Sequence, residues 1–382
     1  MIYGLIEMKL SSITFLFALA LVLAPHAFAQ KHSDEKKAEA QRGDAEQGGA
    51  SKEDFALERR ATADASVVVS ACVGTGDVVV RGWDRGEVRA RTEEAGSLRL
   101  LTPNVQPAPL VKVLVAEERN AELDSGDCGS TSRLELMVPR GATVILQVQS
   151  GHVEVADVAE ARIKALSGDV NVRRVAKGVE VSCLSGDVSL SDSSGQARLS
   201  TMSGSIEARN VRTVERGDDF EAKTQSGDVT LEGVAHAQVS GSTISGNVLY
   251  EGGLARGGVY DLKTTSGDVA MELPADSSFT IHAIVLVSGD IITDFPVRIG
   301  AGASAGSSNS SSASSKSNPH NAPTVIPTVP PDWQKSPVPP KPPKPPKLPK
   351  ASTETRLDGT VGTGDAVITL SSFSGSVHLR KR

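Results

Sequence analysis

Aromatic rings, cysteine and methionine are scarce: only 3% of the 382 residues are Phe, Tyr or Trp, with 3 Cys, 5 Met and 2 Trp. A large α/β catalytic domain builds its core on more rings than this, which argues against that class. Three cysteines cannot staple a disulfide-dense mini-fold or furnish several zinc sites. A basic surplus is missing too. The formal net charge is -6, whereas a nucleic-acid binder carries a basic footprint. What is abundant is Gly, 36 residues, alongside Val and Ser. That composition points to an all-β chain with some disordered segments.

The N-terminal segment reads as an export signal. Lys9 precedes an apolar run over residues 13–23, and Ala27-Phe28-Ala29 supplies a small-x-small cleavage pattern. The run is short for a spanning helix, which needs about 20 residues. Residues 1–29 are therefore expected to be a signal peptide, with no transmembrane helix left after cleavage. No Cys follows the cut, so no lipid anchor is expected. Residues 30–65 are polar and charge-mixed, with no apolar period, and read as a disordered linker.

From about residue 66 the chain repeats itself. Ser-Gly dipeptides recur at Ser150-Gly151, Ser167-Gly168, Ser185-Gly186, Ser203-Gly204, Ser226-Gly227, Ser245-Gly246, Ser266-Gly267 and Ser288-Gly289, and again at Ser374-Gly375. Up to Gly289 the steps between glycines are 17, 18, 18, 23, 19, 21 and 22 residues. Within each unit, short alternating runs such as Val170-Asn171-Val172 and Val179-Glu180-Val181 flank polar turns. Alternation of period two with Gly punctuation is a strand signal. Each unit thus reads strand, turn, strand, turn. One unit cannot bury its apolar face alone, but stacked copies can. The expected fold is a single-stranded parallel β-solenoid, or β-helix, of about 17–23 residues per coil. Val170, Val172, Val179, Val181 and Cys183 should point inward, as should Val188, Leu190, Leu199, Ile206, Val229 and Leu231 further along.

The turn residues are Gly76, Asp77, Gly168, Asp169, Gly186, Asp187, Gly204, Gly227, Asp228, Gly246, Gly267, Asp268, Gly289, Asp290 and Gly375. Gly permits a tight bend, and Asp, Asn or Ser after it can bond the local backbone. The alternative role, a calcium ladder, needs six or more oxygen ligands per ion. His152, Ser205, Asn247 and Ser376 interrupt such a ladder. No metal or cofactor site is expected.

Residues 76–84 read Gly-Asp-Val-Val-Val-Arg-Gly-Trp-Asp, and Val138-Pro139-Arg140-Gly141 precedes the Ser-Gly-Asp-Val coils. This package resembles the DUF4097 family of bacterial β-solenoid proteins that carry a provisional adhesin label. The resemblance spans about residues 66–300 and 356–382. It implies a binding or scaffold role and transfers no catalytic residue. Gly362-Thr363-Gly364-Asp365 and Ser374-Gly375-Ser376-Val377-His378-Leu379 look like that family's final coil. Trp83 reads as a packing or capping residue, and residues 91–133 as an elaborated first coil that caps the solenoid, with a hairpin near Val111.

Residues 301–355 depart from the family pattern. A Gly/Ala/Ser tract gives way to a Pro-rich stretch with Lys341, Lys344, Lys347 and Lys350 at every third position. In polyproline II those lysines share one face. They read either as a solvated spacer or as a contact for anionic envelope polymers. The insertion nets +4 and residues 1–60 net -1, so the repeating segments carry -9 of the total -6. Residues 356–382 are expected to close the solenoid as its C-terminal coil.

Catalytic patterns are not found. Gly302-Ala303-Ser304-Ala305-Gly306 matches G-x-S-x-G in letters, but it lacks the strand-turn-helix context that motif needs. His152, His236, His282 and His378 lack metal spacing and read as surface residues. Cys72 and Cys128 lie in the first coils, where export permits a disulfide, and Cys183 reads as a buried thiol. The sequence thus describes a non-catalytic, exported cell-envelope or periplasmic protein, an adhesin-like binding or scaffold module. Its expected partner is a protein or glycan of the envelope, with weak self-association through the solenoid ends. The alternatives are a polysaccharide lyase or hydrolase on a β-helix, and a structural protein assembling end to end.

Overall fold

The structure is a computed structural model that describes residues 55–93, 97–116, 128–299 and 354–382. Among these, every regular element is a β-strand. Each coil gives a long strand to one sheet and a short strand to a second. Glu160–Ser167 is followed by Val170–Arg173, Gly178–Ser185 by Val188–Ser191, and Gln196–Ser203 by Ile206–Arg209. Each strand pairs in parallel, and in register, with its counterpart in the neighbouring coils: Val181 faces Ile163 on one side and Leu199 on the other.

The two sheets enclose a narrow core. Alternate residues of each strand point into it, so Val179, Val181, Cys183, Val188 and Leu190 are all buried. Parallel neighbours bring like side chains over like, and ladders of Val, Ala and Leu fill the gap. Rings enter mainly beyond residue 219, where Phe220, Tyr250, Tyr260, Phe279 and Phe295 are buried.

Gly186 shows why the corner needs glycine. Its φ is +138°, and a Cβ there would lie 2.3 Å from the carbonyl oxygen of Gly168 one coil away. The same clash recurs up the column, where Gly375 stacks on Gly267 and Gly289 on Gly375. The acidic residue behaves differently from expectation. It does not bond its local backbone but reaches the next coil: Asp187 Oδ1 accepts the Ser205 N–H at 2.7 Å, and Asp228 Oδ1 accepts that of Asn247 at 2.7 Å. Asn247 and Ser376 accept in the same way, from Asp268 and Asp290. At these positions an acceptor oxygen suffices without a charge. The opposite corner turns on left-handed residues, Asp157, Arg174, Asp192 and Asn210, with φ between 49° and 62°. There Arg174 forks onto Asp157 at 2.9 and 2.7 Å, and Asn210 donates to Asp192 at 3.1 Å.

Coil order differs from chain order at both ends. The C-terminal coil, Val367–Ser374 with Val377–Lys381, does not close the stack. It lies between Val259–Ser266 and Phe279–Ser288 in one sheet, and between Val269–Leu273 and Ile291–Thr293 in the other. The outermost coil is thus 279–293, with Thr355–Val361 antiparallel along its long strand. At the other end, Leu57–Thr75 sits between Ala108–Ala116 and Thr143–Ser150. The hairpin of Ser97–Leu101 with Ala108–Ala116 forms the outer cap of the long-strand sheet. The ordered fold also starts earlier than residue 66: residues 57–62, inside the segment read as linker, pair antiparallel with Glu87–Thr92. Cys72 and Cys128 are joined as a disulfide, with Cα atoms 4.9 Å apart. The signal segment, the Gly302–Gly306 motif and Lys341, Lys344, Lys347 and Lys350 lie outside the described residues.

Candidate functional site

The outer face of the long-strand sheet carries the richest side-chain arrangement. In-register stacking converts sequence positions into rows. One row reads Arg162, Glu180, Arg198, Glu221; the next reads Lys164, Ser182, Ser200, Lys223, Ser242, Lys263, Ser371. A third, immediately before the Ser-Gly corner, holds Leu166, Leu184, Met202, Gln225, Ile244, Thr265 and Phe373. The apolar members of this third row are each about half exposed, from 45% at Leu184 to 54% at Leu166.

A cleft of about 540 Å3 opens at the polar end of these strands. Its roof comes from the longest repeat, the 23-residue step from Gly204 to Gly227. Six residues leave the stack between Arg212 and Asp219 and loop outward. Asp218 closes that loop by accepting the N–H groups of Val214 and Glu215 at 2.8 Å each. Beneath it lie Arg162, Lys177, Glu180 and Arg198, and Glu215 of the loop itself completes the lining. Arg162 pairs with Glu160 at 2.7 Å, and Arg198 with Asp219 at 3.4 Å. Burial pushes the Asp219 carboxyl up, but the Gln196 amide and Arg198 outweigh it and hold it below its ordinary range. The cleft therefore presents fixed charges of both signs to anything polar that enters. At the other end of the same strands a groove of about 650 Å3 runs over Leu166, Leu184 and Met202. Cys183 forms its floor, and burial raises its thiol pKa, so it acts as packing.

Two features escaped the sequence reading. His236 is not a surface residue but is wholly buried. Its Nε2–H donates to Gly195 O at 2.9 Å, two coils away, where the extruded loop leaves the stack. A hydroxyl row, Thr201, Thr224, Thr243, Thr264 and Ser372, donates to the carbonyls of the corner glycines, with Thr224 meeting Gly204 O at 2.8 Å. The signal was a Thr or Ser two places before Ser203, Ser226, Ser245, Ser266 and Ser374, each the Ser of a Ser-Gly dipeptide. The turn Asp residues are spread one per coil along the corner, and no grouping of three or more His, Cys, Asp or Glu side chains suited to a metal occurs among the described residues. The guanidinium groups of Arg85 and Arg89 lie over the Trp83 ring, 4.9 and 5.0 Å from its centre, and its N–H donates to Glu87 O, so the ring is used in packing.

A two-sheet stack of Ser-Gly-Asp coils is the arrangement to which family comparison can be put. The Toastrack DUF4097 model matches residues 116–325. The chain belongs to the DUF4097 family. The match leaves out residues 57–93 and 354–382, although both segments lie inside the same stack. This DUF4097 chain is also similar to a solved structure from Clostridium sporogenes, provisionally named a cell adhesion protein. Identity is 8%, the TM-score is 0.20, and the similarity covers 85% of this chain and 99% of that one. No curated protein matches the chain. Among the described residues, no helix is long and apolar enough to cross a membrane.

Proposed function

We propose that this chain is an exported, non-catalytic module of the cell envelope that holds a protein or glycan partner against its long-strand sheet. The observation that carries this reading is the cleft beneath residues 213–218. Its arginines and carboxylates are fixed by neighbours on a rigid ladder, which suits recognition of a polar polymer with little ordering cost. Export is supported by residues 13–29 and by the Cys72–Cys128 pairing, since disulfides persist in oxidising compartments. The test is recovery of partners from envelope fractions by the whole chain, by Arg162→Ala/Arg198→Ala, and by a chain lacking 301–355. Loss of partners in the double variant supports the reading, and undiminished recovery removes the cleft from it. Equal recovery without 301–355 makes the Lys341–Lys350 stretch a spacer.

A second reading is favoured by the same cleft, because a polysaccharide lyase or hydrolase needs cations and carboxylates clustered on adjacent coils. Arg162, Lys177, Glu180 and Arg198 meet that requirement. Turnover of uronate polymers that disappears in Glu180→Gln would establish it, and no turnover would exclude it.

A further inference from the structure

The half-exposed row before the corner is an extended apolar feature on the outer face of the long-strand sheet. Leu166, Leu184 and Met202 occupy three consecutive coils. After Gln225 come Ile244, Thr265 and Phe373, with Leu286 and Val287 sharing a bulge opposite Phe373. At about 4.8 Å per coil the row is about 34 Å long.

Two flanks of opposite charge border the row. On the strand side stand Lys164, Lys223 and Lys263, separated by serines. On the corner side stand Asp169, Asp187, Asp228 and Asp268, each with Oδ1 tied to the next coil. Lysine occurs in three of the four coils whose corner residue is one of these Asp. It is absent from the coils with His152, Ser205, Asn247 or Ser376, where the flank carries Gln147, Ser200, Ser242 or Ser371. Lys223 and Lys263, both exposed, pair with the partly exposed Glu221 and Asp261. Such pairs are weak and can be shared.

A surface with this spacing and these flanks is complementary to itself in one orientation. We propose that two copies of the chain pair side by side, row on row, about a two-fold axis parallel to the solenoid axis. Each coil then meets its own copy: Leu184 on Leu184, Met202 on Met202, Gln225 on Gln225, Phe373 on Phe373. The two-fold reverses the strand direction, so each copy's Lys flank faces the other's Asp flank: Lys164 meets the partner's Asp169, Lys223 the partner's Asp228, and Lys263 the partner's Asp268. An antiparallel pair would set Lys against Lys and Asp against Asp. Anionic lipid is disfavoured as an occupant by the same Asp flank. The solenoid ends are poorer surfaces, because their outer strands carry Arg59, Arg60, Arg356 and Asp358, charges that guard an edge. The cleft under 213–218 lies outside the seam, so the inference does not rest on the proposed function.

The experiment is sedimentation and light scattering of the full chain, as recovered from its producing cells, across a wide concentration range. A micromolar dimer is expected, and Leu184→Lys/Met202→Lys should weaken it about tenfold or more with an unchanged melting profile. Cysteine pairing reads the orientation without charge changes. Met202→Cys and Phe373→Cys should each cross-link to their own copy under mild oxidant. A strict monomer, or a dimer indifferent to the lysine variant, overturns the proposal. Cross-linking only in a mixture of Met202→Cys and Ile244→Cys chains also overturns it, because that is the antiparallel arrangement.

Discussion

At the corner, Gly186 and Asp187 answer to different forces. Gly186→Ala meets both a left-handed φ and a backbone oxygen within 2.3 Å of the new Cβ. It should lower stability by at least about 2 kcal/mol, read as a shifted midpoint in denaturant. Asp187→Ala removes the acceptor for the Ser205 N–H and should cost about 1 kcal/mol, while Asp187→Asn should cost far less. An Asn variant as damaging as Ala would mean that charge, not the hydrogen bond, is what counts there. His236 adds a pH dependence. Burial lowers its pKa below 6.5, partly offset by Gly195 O, Asp218 and Asp219. The unfolded chain therefore binds the proton more tightly. Stability is full above about pH 6.5 and is lost as pH falls below it, toward the folded value. The denaturation midpoint should drop between about pH 7 and about pH 5, and His236→Asn should show a shallower drop over the same range.

At the scale of elements, the cap at the N-terminal end depends on one covalent tie. Cys72 belongs to a strand that is second in the stack, whereas Cys128 precedes Arg133–Pro139, which belongs to the coil outside it. The bridge closes a loop of 56 residues. Loop-closure entropy alone predicts that Cys72→Ser/Cys128→Ser loses about 4 kcal/mol. Calorimetry of the variant checks this, and a loss under about 1 kcal/mol would mean that the hairpin of Ser97–Leu101 and Ala108–Ala116 docks without it. The alternating strands, their inward Val and Leu, and the corner glycines were all legible in the sequence, because a period of two needs no partner to be recognised. The hydroxyl row was legible in principle. It hid behind the Ser-Gly signal because Thr and Ser also fit a strand by propensity.

In the whole molecule the decisive feature is the position of the last coil. A terminal coil can ordinarily be removed with a loss confined to one interface. Here Val367–Ser374 and Val377–Lys381 separate coil 279–293 from the rest. Deleting residues 354–382 should therefore strip hydrogen-exchange protection from Phe279–Ser288 while leaving Gly178–Ser185 protected. Retained protection at Phe279–Ser288 would show that this coil can dock directly on Val259–Ser266.

The sequence by itself determined the parallel solenoid, because each coil repeats one local grammar of alternation and turn, and identical grammar stacks in register. It also determined which residues face inward. Which coil lies beside which at the ends was decided only in three dimensions. Any two coils present nearly the same strand edge, so local pattern does not distinguish a neighbour in chain order from one that returns after a long excursion. The candidate site was decided the same way. Arg162, Lys177, Glu180 and Arg198 are unremarkable in the chain and become a cleft only when the six-residue loop 213–218 leaves the stack above them. Leu166, Leu184 and Met202 become a continuous row only when the coils are laid one on another.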